Sequence, residues 1–177
     1  MTAGTLRAAA RRLAGHLSRH WRRAVAVGTA AAVGAALVLL ARGGVVEVMR
    51  VESASMAPTL AVGQRVLVDK LTVRVRRPQR GDCVVFRGPR DGAPTLKRVV
   101  GVSGDVVEIR DGVLHVDSRA VAERYVDLAA VDGVFYGPVA VPPGAVLVMG
   151  DNRGESVDSR DYGPVPLSAL RGRARVC

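Results

Sequence analysis

Eighteen consecutive residues without a charge, Ala24 to Ala41, restrict this chain more than any other feature. The run reads AVAVGTAAAVGAALVLLA and is apolar on every face of a helix. A buried helix of a soluble protein has the same all-round apolarity but would not sit beside an arginine-rich arm. The length of the run lies at the lower edge of what crosses a hydrocarbon core about 30 Å thick. A cleaved export signal is the competing reading, but the apolar part of such a signal normally has about 7–15 residues. Ser53-Ala54-Ser55 has the small-residue form of a cleavage site, yet Arg42, Glu47 and Arg50 separate it from the run. An uncleaved transmembrane anchor over residues 24–41 is expected, with Trp21 at the headgroup boundary.

The formal charge of +10 acquires meaning only when divided along the chain. Residues 1–42 carry seven arginines and no acidic residue, which leaves +3 on the other 135 residues. A nucleic-acid groove needs its basic residues on the folded surface, so a nucleic-acid partner is not expected. Six of the seven arginines precede the apolar run. The positive-inside bias then assigns residues 1–23 to a cytoplasmic arm and residues 43–177 to an extracytoplasmic domain. The basic arm suits a bilayer with anionic headgroups.

Beyond Gly43 the pattern changes to short, valine-rich runs punctuated by Gly, Pro and Asp. Strands are predicted at Val45–Val51, Arg65–Val68, Asp82–Arg87, Thr95–Val102, Val106–Arg110, Val113–Val116 and Ala145–Met149. Asp111-Gly112 supplies the positive φ angles of a tight hairpin turn. A short helical turn is expected around Leu167–Leu170. The fold class is therefore mainly β, an antiparallel β-sheet domain on a single N-terminal transmembrane helix.

The residues available for catalysis are few. Of three histidines, His16 and His20 lie on the basic arm, and His115 follows the hairpin as an ordinary strand residue. No G-x-S-x-G, S-x-x-K or H-E-x-x-H motif occurs. Two cysteines, Cys83 and Cys177, give neither a disulfide framework nor zinc-ligand spacing. Lysine usage is more telling, because only Lys70 and Lys97 stand among 26 basic residues. A buried lysine can lose its proton near neutral pH, whereas a guanidinium effectively cannot. Leu96, Val99 and Val100 are apolar neighbours able to desolvate Lys97.

Four boxes resemble, in order, those of type I signal peptidases. They are Ser53-Ala54-Ser55-Met56-Ala57-Pro58-Thr59-Leu60; Arg80-Gly81-Asp82-Cys83-Val84-Val85-Phe86; Leu96-Lys97-Arg98-Val99-Val100-Gly101 to Asp105; and Gly150-Asp151-Asn152-Arg153 with Ser156, Asp158, Ser159 and Arg160. The resemblance spans roughly residues 51–175 and implies a catalytic domain of signal-peptidase type. It implies Ser55 as nucleophile and Lys97 as base. Ser53 and the Ser55 N–H would hold the oxyanion, Ser156 would orient Lys97, and Asp158 with Arg160 would form a supporting ion pair. Asp151 and Arg153 would be scaffold. Val51, Ala54, Met56, Pro94 and Leu96 would bind an extended substrate, the signal peptide of an exported preprotein. No metal or cofactor is implied, and the implied location is the plasma membrane of a bacterium.

Two departures accompany the match: Glu52 and Ser103 stand where the family often has proline. About 53 residues separate Lys97 from Asp151, so the large β insertion of some bacterial members is absent. Three other readings are weaker. A self-cleaving repressor-type Ser-Lys protease shares the dyad but carries a DNA-binding or cytoplasmic module. A catalytically silent, membrane-tethered adaptor would not need both Ser55 and Lys97. A sortase-like cysteine enzyme would use Cys83 with His115.

Overall fold

In the computed structural model of the chain, residue 21 and residues 25–39, 44–127 and 135–176 are described. Two compact units are present, Met1–Gly44 and Val45–Cys177. Within the first, residues 25–39 form helix α1. Its side chains Val25, Val27, Val33, Leu37, Val38 and Leu39 are exposed, as is Trp21. The remainder of the expected 24–41 anchor lies outside the described residues. Among the described residues, no helix is long and apolar enough to cross a membrane.

Among the described residues, the second unit holds eleven strands, every pair antiparallel. They are β1 Val46–Arg50, β2 Arg65–Asp69, β3 Cys83–Arg87, β4 Pro94–Val102, β5 Val106–Arg110 and β6 Val113–Val116. These are followed by β7 Arg119–Ala120, β8 Tyr136–Ala140, β9 Ala145–Met149, β10 Val165–Pro166 and β11 Leu170–Ala174. A seven-stranded sheet runs in the order β1-β2-β11-β3-β4-β9-β10, and a four-stranded sheet in the order β7-β6-β5-β8. The described residues of the unit also form two single-turn α-helices, α2 Thr72–Val75 and α3 Ser159–Tyr162.

Strand alternation sorts the side chains into layers. Cys83 and Val85 of β3 join Val51, Met56, Leu60 and Leu96 on one face of the large sheet. Val84 and Phe86 turn the other way to Val99, Val146 and Val148. Leu147 and Met149 of β9 pack instead with Val107, Ile109, Leu114 and Val116 of the small sheet. The central strands are thus buried on both faces, which is why they read as continuous valine runs.

All seven expected strands form, with ends shifted by no more than a residue. The hairpin turn carries φ 50° at Asp111 and 77° at Gly112, as its Asp-Gly sequence requires. Four further strands escape the sequence pattern. Strand β8 contains Gly137 and Pro138, tolerable at a sheet edge where an N–H is not needed. Strand β11 reads Leu-Arg-Gly-Arg-Ala, so its inward positions after Leu170 are small rather than bulky. Gly172 is needed there, since a Cβ would press into Val68 and the Asp69 backbone. The helical turn expected at Leu167–Leu170 is a 3₁₀ turn over Leu167–Ala169, and Leu170 opens β11.

Candidate active site

The nucleophile box leaves β1 as extended backbone and tightens into a 3₁₀ turn, Ala54–Met56. Met56 and Leu60, each 1% exposed, anchor that turn in the core. Ser55 is buried, and its Oγ lies 3.1 Å from the Ser53 Oγ. The loop after β9 holds the same turn from behind. The Asn152 N–H donates to the Ser55 carbonyl at 3.1 Å, and the Asn152 side chain to the Ala54 carbonyl at 3.3 Å. Thr59 donates to Asp151 at 2.5 Å.

Lys97 lies in β4 opposite Val84 of β3, on the face that also carries Val99. Leu96 belongs to the opposite face, among Val51, Met56 and Val85. Leu96 and Lys97 thus leave the strand on opposite faces, a consequence of its two-residue repeat, yet both line the same cleft. The Lys97 side chain is buried, and burial holds its amine below the ordinary lysine value. The nearby Asp158 carboxylate pulls the other way, and the Arg160 guanidinium adds to the depression.

Asp158 and Arg160 form the expected ion pair, 2.8 Å between Nη2 and Oδ2. Asp158 also caps α3, accepting from the Arg160 N–H at 3.1 Å, and accepts from the Gly150 N–H at 3.0 Å. Burial raises the Asp158 carboxyl, but Arg160 and these N–H donors outweigh it and hold the group below its usual range. Arg160 reaches back to the carbonyls of Arg153 at 2.7 Å and Ser156 at 3.3 Å. The Ser156 hydroxyl is buried without a hydrogen-bond partner. It packs against Gly150, where an added Cβ would overlap both the Ser156 side chain and the Ser55 carbonyl oxygen.

Two clefts meet at the serine and lysine. The larger, about 340 Å³, is lined by Val51, Ser53, Ser55, Met56, Pro94, Leu96 and Lys97, among others. The second, about 290 Å³, shares Ser53, Ser55, Thr95 and Lys97 and continues past Glu155 and Tyr162. Of the residues expected to bind substrate, Ala54 alone lines neither cleft; its carbonyl faces Asn152. Pro94–Leu96 pair with β3 on one side, whereas the ladder to β9 begins only at Arg98. Their other edge is therefore unpaired within the described sheet.

Cys83 is fully buried in β3, and no described cysteine is free. His115 sits in the small sheet with its Nδ1 3.0 Å from the Val113 carbonyl. The sortase-like arrangement is not assembled.

Sequence reasoning gave no role to Arg98, although the signal was there, since an arginine in a buried strand needs a partner. Arg98 grips Asp151 with two bonds of 2.8 and 2.7 Å and donates to the Gly81 carbonyl at 3.0 Å. Arg153 is buried against Glu123 at 2.6 Å. Asp151 and Arg153 are thus internal parts of the loop that carries Ser156, in keeping with the scaffold reading.

Comparison with known proteins gives a consistent set of matches. A family model described as "Signal peptidase, peptidase S26" matches residues 22–177. The chain is 40% identical over 139 residues to a probable signal peptidase I-2 of Synechocystis, covering 75% of this chain and 62% of that one. It is 39% identical over 144 residues to a probable chloroplastic thylakoidal processing peptidase 2 of Arabidopsis thaliana, covering 77% of this chain and 39% of that one. The chain thus spans less than two thirds of either relative. A crystal structure of a signal peptidase I from Enterococcus faecalis V583 matches with a TM-score of 0.50 and 32% identity, over 55% of this chain and 97% of that one.

Proposed function

We propose, from the premise that the chain belongs to the signal peptidase family, peptidase S26, that it is a membrane-bound serine endopeptidase removing signal peptides from exported preproteins. The observation that carries this reading is the opening of Ser55 and the buried Lys97 onto one cleft.

Neutral Lys97 takes the proton from the Ser55 Oγ as that oxygen bonds to the scissile carbonyl carbon. The Ser55 N–H and the Ser53 hydroxyl stabilise the oxyanion, one such donor being worth about 10²–10³ in rate. Collapse breaks the C–N bond, and the Lys97 ammonium returns its proton to the leaving amine. Water, losing a proton to Lys97, then attacks the acyl-serine ester. The bond from the acyl carbon to the Ser55 Oγ breaks, and the Lys97 ammonium returns the proton to that oxygen. The signal peptide leaves as an acid that ionises in solvent. The resemblance gives Ser156 the part of orienting the Lys97 amine, although its hydroxyl makes no such bond in this structure, and Asp158 with Arg160 fixes the Ser156 loop. No cofactor enters the scheme.

The substrate lies extended between Val51–Ala54 and the unpaired edge of Pro94–Leu96, adding a strand to the sheet. Val51, Met56, Pro94 and Leu96 give the larger cleft an apolar floor suited to small residues before the cut, and the Ala54 backbone flanks the path.

Residues 24–41 anchor the enzyme as a single pass in a bacterial plasma membrane, with the 1–23 arm cytoplasmic against anionic lipid and residues 43–177 outside. The exposed apolar side chains along α1 support this arrangement. So do the arginines before it.

The direct test incubates the full chain in detergent with one preprotein and sequences the product. Cleavage after a small residue at the end of the signal peptide is expected, and an intact preprotein would refute the proposal. Topology has its own measurement. Protease added to spheroplasts should remove a tag placed after Cys177, and a protected tag would reverse the orientation.

A further inference from the structure

After β7 the chain crosses the back of the catalytic loops as a strap, Val121–Asp127, that belongs to neither sheet. Val126 is buried, and its N–H bonds to the Glu123 carbonyl at 3.1 Å, turning two side chains inward. The Glu123 Oε1 accepts from Arg153 at 2.6 Å and from the Tyr125 hydroxyl at 2.8 Å. The Tyr125 ring lies over the Arg98 guanidinium, 3.8 Å from Cζ to ring centre. We propose that this strap clamps the dyad, Glu123 and Tyr125 acting as positioning residues for Ser55 and Lys97.

Each arm of the strap leads, through an arginine, to a segment that carries a reacting group. Through Glu123 it holds Arg153, whose Nε donates to the Gly150 carbonyl at 3.1 Å. Gly150 is the residue against which Ser156 and the Ser55 carbonyl pack. Through Tyr125 it holds Arg98, the immediate chain neighbour of Lys97. Arg98 grips Asp151, which in turn fixes Thr59 in the nucleophile segment. Base strand, nucleophile turn and Ser156 loop are thus tied to one segment.

Stability alone gives little reason for this arrangement. Glu123 and Arg153 side chains are each 2% exposed, yet Glu123 Oε2 and Arg153 Nη1 have no hydrogen-bond partner. Buried ion pairs are often replaceable by apolar residues at no loss of stability, and unsatisfied atoms make this more so. What an apolar pair lacks is direction, because only the ion pair sets the angle at which Arg153 presents itself to Gly150. A misplacement of about 1 Å near reacting atoms costs about 10²-fold in rate.

The inference rests on the proposed peptidase activity, and the experiment separates the two. The full chain carrying Glu123→Leu with Arg153→Met, measured against wild type, should melt no lower. Its kcat on a preprotein should fall tenfold or more while KM stays within twofold. A folded double variant with wild-type kcat would overturn the clamp. Tyr125→Phe and Tyr125→Leu keep the test alive should that pair fail to fold. Phe keeps the ring over Arg98 and should retain kcat within about threefold, whereas Leu should lose about tenfold. Equal kcat in the two would likewise overturn the clamp. A wild-type chain that cuts no preprotein would refute the peptidase reading instead.

Discussion

Lys97→Arg is expected to reduce cleavage to the background of Ser55→Ala, while Lys70→Arg keeps most of the wild-type rate. Both replacements preserve charge and approximate length, so they separate a cation from a base. Lys70 pairs with Glu47 at 2.6 Å across a partly exposed surface. Such pairs contribute about 0–1 kcal/mol, and arginine serves as well. Lys97 is buried, and its amine is held below the lysine value of 10.5 mainly by desolvation. General-base assistance is worth about 10²–10⁴-fold and requires the unprotonated form. A guanidinium, with a pKa above ~12, supplies essentially none of that form. The wild-type rate should rise with pH as Lys97 loses its proton, along an acid limb below the ordinary lysine range. A buried permanent charge also lowers the melting temperature of Lys97→Arg, so rates belong at a temperature where circular dichroism reports a folded domain. Normal activity of that variant would end the dyad mechanism.

Gly150→Ala should lower kcat by about 10²-fold or more and destabilise the domain by about 1–3 kcal/mol, the usual cost of overpacking. A methyl at this position meets the Ser156 side chain on one side and the Ser55 carbonyl oxygen on the other. The backbone cannot slide away easily. Its N–H is bound to Asp158 at 3.0 Å and its carbonyl to Arg153 at 3.1 Å. Either the nucleophile turn or the Ser156 loop must therefore shift. Gly154→Ala is the matched control in the same loop, where a Cβ has only the Asn152 side chain as near as 4.0 Å. Its melting temperature and kcat should stay close to wild type. Equal kinetics for the two alanine variants would mean that the contact at Gly150 has no part in the reaction.

Gly150 also illustrates what sequence reading left open. It stood only as the first residue of the G-D-N-R box, and no local pattern says which atoms a loop will meet. The same holds for Glu123 and Tyr125, which lie in a segment without periodicity and contact residues 27 to 30 positions away.

What the sequence by itself determined is the set of properties that follow from local order. The uncharged run and its flanking arginines gave the anchor and orientation as expectations. Valine runs between turn residues gave seven of the eleven described strands, because large inward-facing side chains write a legible pattern. Strands β8 and β11 lacked that pattern, one holding Gly137-Pro138 and the other filling its inward places with Gly172 and Ala174. The ordered boxes pointed to Ser55 and Lys97, and the scarcity of lysine gave Lys97 a chemical reason. Only the tertiary structure decided which groups stand beside them. It put Val84 across the ladder from Lys97, Asn152 behind the serine turn, and Arg98 between Asp151 and Tyr125. Those contacts join segments distant along the chain. They depend on strand register and loop path, and a one-residue slip in register would turn every side chain to the other face.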